Sequence, residues 1–282
     1  MTPPLPAAVV QLTSTADAEA NWRQARGLVE AAAAAGARLV ATPENTPWLG
    51  PIERKAEIAE PVDGPLAARW ATLAERLGIH LLLGSMVERG PAAGLGEHGR
   101  VELRRSFNTS LLFGPDGRRL AAYRKIHRFD VDLPPDVVFR ESDAVLPGTD
   151  PVTVATPLGR LGLSICYDLR FGELYRSLVD RGAEILAVPS AFTARTGRAH
   201  WRVLLRARAI ENQCWVLAPA QVGRHDDGGI RHSYGHSMIV DPWGEIVAEV
   251  DEDAPGFAIA KIDPARVAEV RRAMPVREHR RL

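Results

Sequence analysis

The stretch LGLSICYDLRFGELYR, residues 161–176, carries Cys166 to the end of an apolar run and follows it at once with Tyr167, Asp168 and Arg170. A thiol placed where a strand gives way to a turn and helix can sit beside a helix N-terminus. Backbone N–H groups there favour the thiolate and can hold an oxyanion. Cys214, flanked by Gln213 and Trp215 in the apolar run CWVLAPA, reads as core. A thiol nucleophile needs a base. His127, His200 and His236 are available, but no local spacing singles one out, and a carboxylate is the alternative. VATPENTPW sets Glu44 just after a strand, and YRKIHRFD sets Lys125 at the end of another. Each alone is an ordinary surface residue; three reactive types at strand ends, each beside turn residues, fit a rigid sheet presenting groups on its loops.

The elements that must position them alternate short β-branched runs with segments of helical period. Strands are expected at 7–12, 38–42 and 79–85, the last buried on both faces. A helix is expected from about Asp17 to Ala35, with Ser14 or Thr15 as its cap and Gly36 as its stop, and another over 65–77 closed by Gly78. Hairpins are expected at 107–125 and 152–166, then a helix after Cys166, a strand at 184–190, a helix over about 200–213, and strands at 214–220, 236–240 and 257–262. This mixture of βα alternation and hairpins favours helices sheathing mixed sheets over a purely parallel doubly wound fold. No linker or repeat divides the chain; the expectation is one domain over 1–282, with a core of about 7–263, a C-terminal arm of about 264–282, and a surface excursion at 90–99.

The composition narrows the function. Thirty-five basic and 35 acidic residues cancel, and the basic clusters RRSF, RSLVDR and REHRRL are scattered without aromatic interleaving, so nucleic acid is not expected. Two cysteines suit a reducing compartment, and neither a signal sequence nor a membrane-length apolar run is evident; a cytoplasmic location is expected. The glycines form no dinucleotide or phosphate-loop pattern. His232 and His236 lie four apart with no accompanying H-E-x-x-H, so neither cofactor nor metal is expected.

Four segments in order, PEN at 43–45, YRKIHRFD at 123–130, RESD with PG at 140–148, and CYDLRFGELYR at 166–176, resemble the nitrilase superfamily of carbon–nitrogen hydrolases over nearly the whole chain. The resemblance implies an α/β fold, a four-layer α-β-β-α sandwich, and a Glu44–Lys125–Cys166 triad. Glu44 would take the thiol proton and pass it to the leaving amine. Lys125, with the backbone N–H of Tyr167, would stabilise the oxyanion, and Glu141 would orient Lys125. The segments PSAFTARTGRAHW and SYGHSMIVDPWGE resemble the branch that acts on deaminated glutathione. That implies a small amide bearing a carboxylate, released as 2-oxoglutarate and cysteinylglycine, with Arg170 gripping the carboxylate and Thr196 adding a hydrogen bond. An ω-amidase acting on 2-oxoglutaramate, a broader aliphatic amidase, and a non-catalytic interaction protein are the alternatives. Assembly into a homodimer or higher homo-oligomer is implied too. Two departures stand out: Gly172 and Arg198 occupy positions where relatives often carry proline, and Arg198 is expected at the pocket rim.

Overall fold

The computed structural model describes residues 3–91, 105–133, 137–228, 231–250 and 253–281. Most of the excursion expected at 90–99 lies outside them.

Two mixed sheets face each other. In the first, Leu5–Leu12, Leu39–Ala41 and His80–Arg89 run parallel, and the hairpin Ser106–Phe113 with Arg119–Arg124 extends one side. Gly256–Ile262 pairs antiparallel with Leu5–Leu12, and Ala220–Arg224 and His232–Tyr234 complete the other side. In the second sheet, Gly159–Leu163, Ile185–Ala187 and Trp215–Ala218 run parallel. Antiparallel Val152–Thr156 lies on one flank, and Met238–Val240 with Ile246–Glu249 on the other.

Side-chain alternation along Leu5–Leu12 shows how the layers form. Ala8, Val10 and Leu12 point to one face and pack with Ala25 and Val29 of the helix Ala18–Ala34 and Trp70 and Leu73 of the helix Pro65–Leu77. Ala7 and Val9 point the other way, into a cluster that takes in Leu161, Leu163, Ile185 and Leu217 of the second sheet. That cluster continues to Leu174 and Leu178 of the helix Gly172–Asp180 and to Trp201 and Leu205 of the helix Ala194–Asn212. The order is helix, sheet, sheet, helix, the four-layer α-β-β-α sandwich. Strands buried on both faces are largely apolar, which is why Ile79 and the run Leu81–Leu83 read as they do.

Several local expectations need correction. The first helix is capped by Asp17, whose Oδ1 accepts from the N–H groups of Glu19 and Ala20, while Thr15 Oγ1 accepts from the Asp17 N–H. The strand leading to the thiol ends at Leu163, and Cys166 opens a 3-10 turn, Cys166–Arg170. The helix expected near 200 starts at Ala194, because Gly197 lets its first turn lie against Tyr234; a Cβ there would sit 2.4 Å from the tyrosine Cβ. At the C-terminal end, the helix Pro264–Ala273 sends Val267 and Val270 into the interior. Among the described residues no helix is long and apolar enough to cross a membrane.

Candidate active site

Glu44 follows the strand Leu39–Ala41 in a turn held from several sides. Thr46 Oγ1 donates to the Pro43 carbonyl at 2.7 Å, Ser85 Oγ accepts from the Asn45 N–H at 2.8 Å, and Gln221 Nε2 donates to the Glu44 carbonyl at 2.9 Å. Asn45 takes a left-handed φ of 57°. The turn presses on the neighbouring strand at Gly84, where a Cβ would lie 2.0 Å from the Thr42 carbonyl oxygen. Residue 84 must therefore be glycine for this approach.

Lys125 leaves the strand Arg119–Arg124, its N–H bonded to the Asn108 carbonyl at 2.9 Å and its carbonyl to the Gly148 N–H at 2.8 Å. Cys166 comes from the opposite sheet. It sits in the left-handed region at φ 48°, with its N–H on the Pro189 carbonyl at 3.0 Å. A non-glycine residue in that conformation is costly and marks a backbone built to aim one side chain. Glu141 opens the short turn after the hairpin Asp130–Leu133 and Val137–Arg140, a hairpin absent from the sequence reading.

These residues meet in one cavity lined by Glu44, Lys125, Glu141 and Cys166, with walls that include Phe129, Phe139, Tyr167, Phe192 and Thr196. Lys125 Nζ donates at 2.9 Å to both Glu44 Oε1 and Glu141 Oε2. The second Glu44 oxygen accepts from the Ala191 N–H at 2.9 Å, and Glu141 Oε2 also accepts from the Phe129 N–H at 2.6 Å. Asn108 Nδ2 spans the two acids, 2.9 Å from Glu44 Oε1 and 3.4 Å from Glu141 Oε1.

Burial sets the charge states. Desolvation opposes the charge on Lys125, but Glu141 and Glu44 outweigh it and hold the ammonium well above the usual lysine range. Burial favours neutral Glu141, yet Lys125, Lys55 and the Phe129 N–H pull its pKa down to about 2. Burial, then the negative charge of Glu44, push the Cys166 thiol well above its ordinary value against the pull of Lys125. The resting sulfur is a thiol beside a carboxylate and a fixed cation. That arrangement can deprotonate a nucleophile as it attacks and stabilise negative charge on the atom attacked.

The other residues singled out in the sequence divide. Tyr167 and Thr196 line the cavity. Thr196 lies in the first turn of the helix Ala194–Asn212 rather than in a loop, its hydroxyl 2.8 Å from Thr193 Oγ1. Arg170 does not line the cavity. Its guanidinium stands 5.8 Å from the Tyr167 ring centroid and 5.1 Å from that of Phe192, with Nη1 3.2 Å from His200 Nδ1. Arg198 is exposed on the helix and is not in the lining. His127, His200 and His236 are not in the lining either. Cys214 is buried between the Ala183 and Asn212 carbonyls, its thiol pushed up to about 11 by burial.

Three residues of the site carried no signal in the sequence reading: Asn108, which lies within a strand; Gln221, which anchors the Glu44 turn; and Lys55, a buried cation in the lining. A charged residue in the polar run PIERKAEIAEP gives no hint of burial.

The carbon–nitrogen hydrolase family model matches residues 6–272. The deaminated glutathione amidase of Synechocystis sp. is 44% identical over 279 residues, 98% of this chain and 98% of that one. Among solved structures, the Caenorhabditis elegans NitFhit protein superposes with a TM-score of 0.89 at 40% identity, over 99% of this chain and 66% of that longer one. Saccharomyces cerevisiae Nit3, described as a member of branch 10 of the nitrilase superfamily, gives 0.84 at 31% identity over 99% and 97% of the two chains. With the sandwich and its converging acid, lysine and cysteine already in place, these matches make the chain a member of the carbon–nitrogen hydrolase family.

Proposed function

We propose that this chain is an amidase that cleaves its substrate through a thioester on Cys166, and that the substrate is deaminated glutathione. The observation that carries the mechanism is the convergence on one cavity of Cys166, Lys125 and two carboxylates, with Glu44 and Lys125 delivered from one sheet, Cys166 from the other and Glu141 from the hairpin beside them. The name borne by the Synechocystis relative at 44% identity supports the substrate.

Glu44 takes the Cys166 proton as sulfur attacks the amide carbon. The oxygen that becomes negative is met by the Lys125 ammonium and the Tyr167 backbone N–H. Lys125 is held too firmly charged to serve as the base, so its part is electrostatic. Glu44 returns the proton to the departing nitrogen, the C–N bond breaks, and the acyl group remains on sulfur. A water then gives its proton to Glu44 and its oxygen to the thioester carbon, freeing the acid and restoring the thiol. Glu141 and Asn108 hold Lys125 and Glu44 in register throughout. From deaminated glutathione the amine product is cysteinylglycine and the acid product 2-oxoglutarate.

The test is a comparison of kcat/KM for deaminated glutathione, 2-oxoglutaramate, glutamine and a simple nitrile. Deaminated glutathione is expected to lead by a wide margin, and a Cys166 acyl adduct is expected by mass spectrometry in rapidly quenched reactions. A lead for 2-oxoglutaramate would move the substrate to the smaller amide. Nitrile turnover without amide turnover would defeat the amidase reading.

A further inference from the structure

Lys55 is 4% exposed, and it lines the same cavity as Cys166. It follows the short turn Ile52–Arg54, whose neighbours Glu53 and Arg54 are exposed. Among the described residues its ammonium makes no hydrogen bond and no ion pair. A buried cation with no bonded anion is expensive, and here only the nearby charges of Glu141 and Glu44 offset that cost.

The other cations near the cavity are already engaged. Lys125 is bonded to Glu44 and Glu141. Arg231, also in the lining, donates to Asp227 through Nε and to the Gly50 carbonyl at 3.1 Å, with its guanidinium over the Phe139 ring. Arg170 lies outside, against Tyr167 and Phe192. Burial draws the Lys55 pKa down to about 8, with Glu141 and Glu44 opposing, so the group is still mainly charged near neutrality without a bonded partner. An anionic group entering the cavity would relieve that cost.

Deaminated glutathione carries two carboxylates. The one on cysteinylglycine departs with the amine and must reach solvent. The one on the 2-oxoglutaryl half stays on the enzyme while the thioester exists. A side chain this deeply buried in the lining can meet the half that enters and stays. We infer that the Lys55 ammonium receives the 2-oxo acid carboxylate of the acyl half, and so selects for acids of that kind. The assignment rests on the proposed amidase reading and names a substrate-recognising residue within it.

The experiment compares wild type with Lys55→Met and Lys55→Gln, using 2-oxoglutaramate and the uncharged propionamide. Removing one ammonium–carboxylate contact should raise KM for 2-oxoglutaramate on the order of 10- to 100-fold with little change in kcat. Propionamide has no carboxylate to lose, so its KM should rise far less. Equal losses on both amides would make Lys55 a counter-charge for Glu141 and overturn the assignment, as would no change on either.

The amidase reading itself is judged by turnover of deaminated glutathione; if wild type turns over neither surrogate amide, Lys55 is judged separately, by protection of Cys166. Iodoacetamide labelling of Cys166, read by peptide mass, should be slowed by 2-oxoglutarate in wild type and not in either variant. Protection that is absent from wild type, or equal in all three proteins, would overturn the assignment. Thermal melting checks the fold; replacing an unpaired buried charge by methionine should leave the melting temperature unchanged or raised.

Discussion

The carboxylate of Asp168 grips His127 twice, Oδ1 accepting from its backbone N–H at 3.0 Å and lying 2.7 Å from its ring Nδ1. Asp168 lies two residues beyond Cys166, and His127 two residues beyond Lys125. The other oxygen, Oδ2, accepts from the Ile165 N–H at 2.9 Å and from the Tyr123 hydroxyl at 2.7 Å. Tyr123 lies two residues before Lys125. One buried carboxylate thus ties the chain on both sides of the lysine to the elbow that carries the sulfur, and it touches no reacting group. His127, stacked on Phe171 with ring centroids 3.7 Å apart, braces the same clasp from outside. It serves as a strut, which explains why a histidine so near the lysine is not the base.

Replacing Asp168 with Asn keeps the shape but turns an amide N–H₂ toward a donor that the carboxylate had accepted. Lys125 and Cys166 should lose their mutual register. We expect kcat to fall on the order of 10²-fold, since small misplacements of reacting groups cost about that much. KM should move far less, because Asp168 does not line the cavity. A rise in KM with kcat intact would contradict a positioning role.

Glu44→Gln separates the base from the electrostatics. Loss of the proton carrier should lower kcat by about 10²- to 10⁴-fold. Alkylation of the free thiol should behave differently. The Glu44 charge is one of the forces that push the Cys166 thiol upward, after burial, so its removal lowers that pKa and raises the thiolate fraction at any fixed pH. Iodoacetamide labelling of Cys166 should therefore be as fast as in wild type or faster while turnover collapses. Labelling that slows in parallel with turnover would mean the sulfur loses its proton by another route.

What could be read from the sequence was largely what strand ends announce. Glu44, Lys125 and Cys166 each stand where an apolar run breaks into turn residues, and that transition is visible in one dimension. Asn108 is hidden because it lies within a strand, where nothing in the sequence says that its side chain bridges two acids. Arg170, which the resemblance makes the partner of the substrate carboxylate, shares a face of the 3-10 turn with Tyr167 three residues before it. It packs on the rings of Tyr167 and Phe192, which wall the cavity, and is not itself in the lining. The true start of the helix Ala194–Asn212 escaped notice because Gly197 reads as a breaker until Tyr234, 37 residues later, is packed against it.

Glu141 should leave a mark on acid stability. Its pKa falls from the ordinary 4.5 to about 2 in the folded chain. The folded state therefore releases this proton more readily than the unfolded one. The stabilisation is fully present above about 4.5 and is lost as pH falls toward about 2. A shift of this size corresponds to roughly 3 kcal/mol. Glu141→Gln should flatten the dependence of the urea midpoint on pH across that window. An unchanged slope would show that the Lys125 contact does not hold the acid ionised.

Gly172 opens the helix Gly172–Asp180 directly after the elbow turn. Its φ is not in the left-handed region, and the residue before it, Phe171, is extended at φ −108° and ψ 91°. The first helical N–H has no intrahelical acceptor, so a proline there forfeits no bond, and its fixed φ suits the first turn. There is room as well, since a Cβ would come no closer than 3.4 Å, to Arg208 Nη1. Gly172→Pro should stabilise the fold by about 0.4–1 kcal/mol, chiefly by restricting the unfolded chain. The melting temperature should rise by about 2 °C, and kcat/KM should stay the same, because Cys166 is aimed by its own φ and by Asp168 rather than by this helix start. A lower melting temperature would show that the glycine is needed for the geometry of the turn itself.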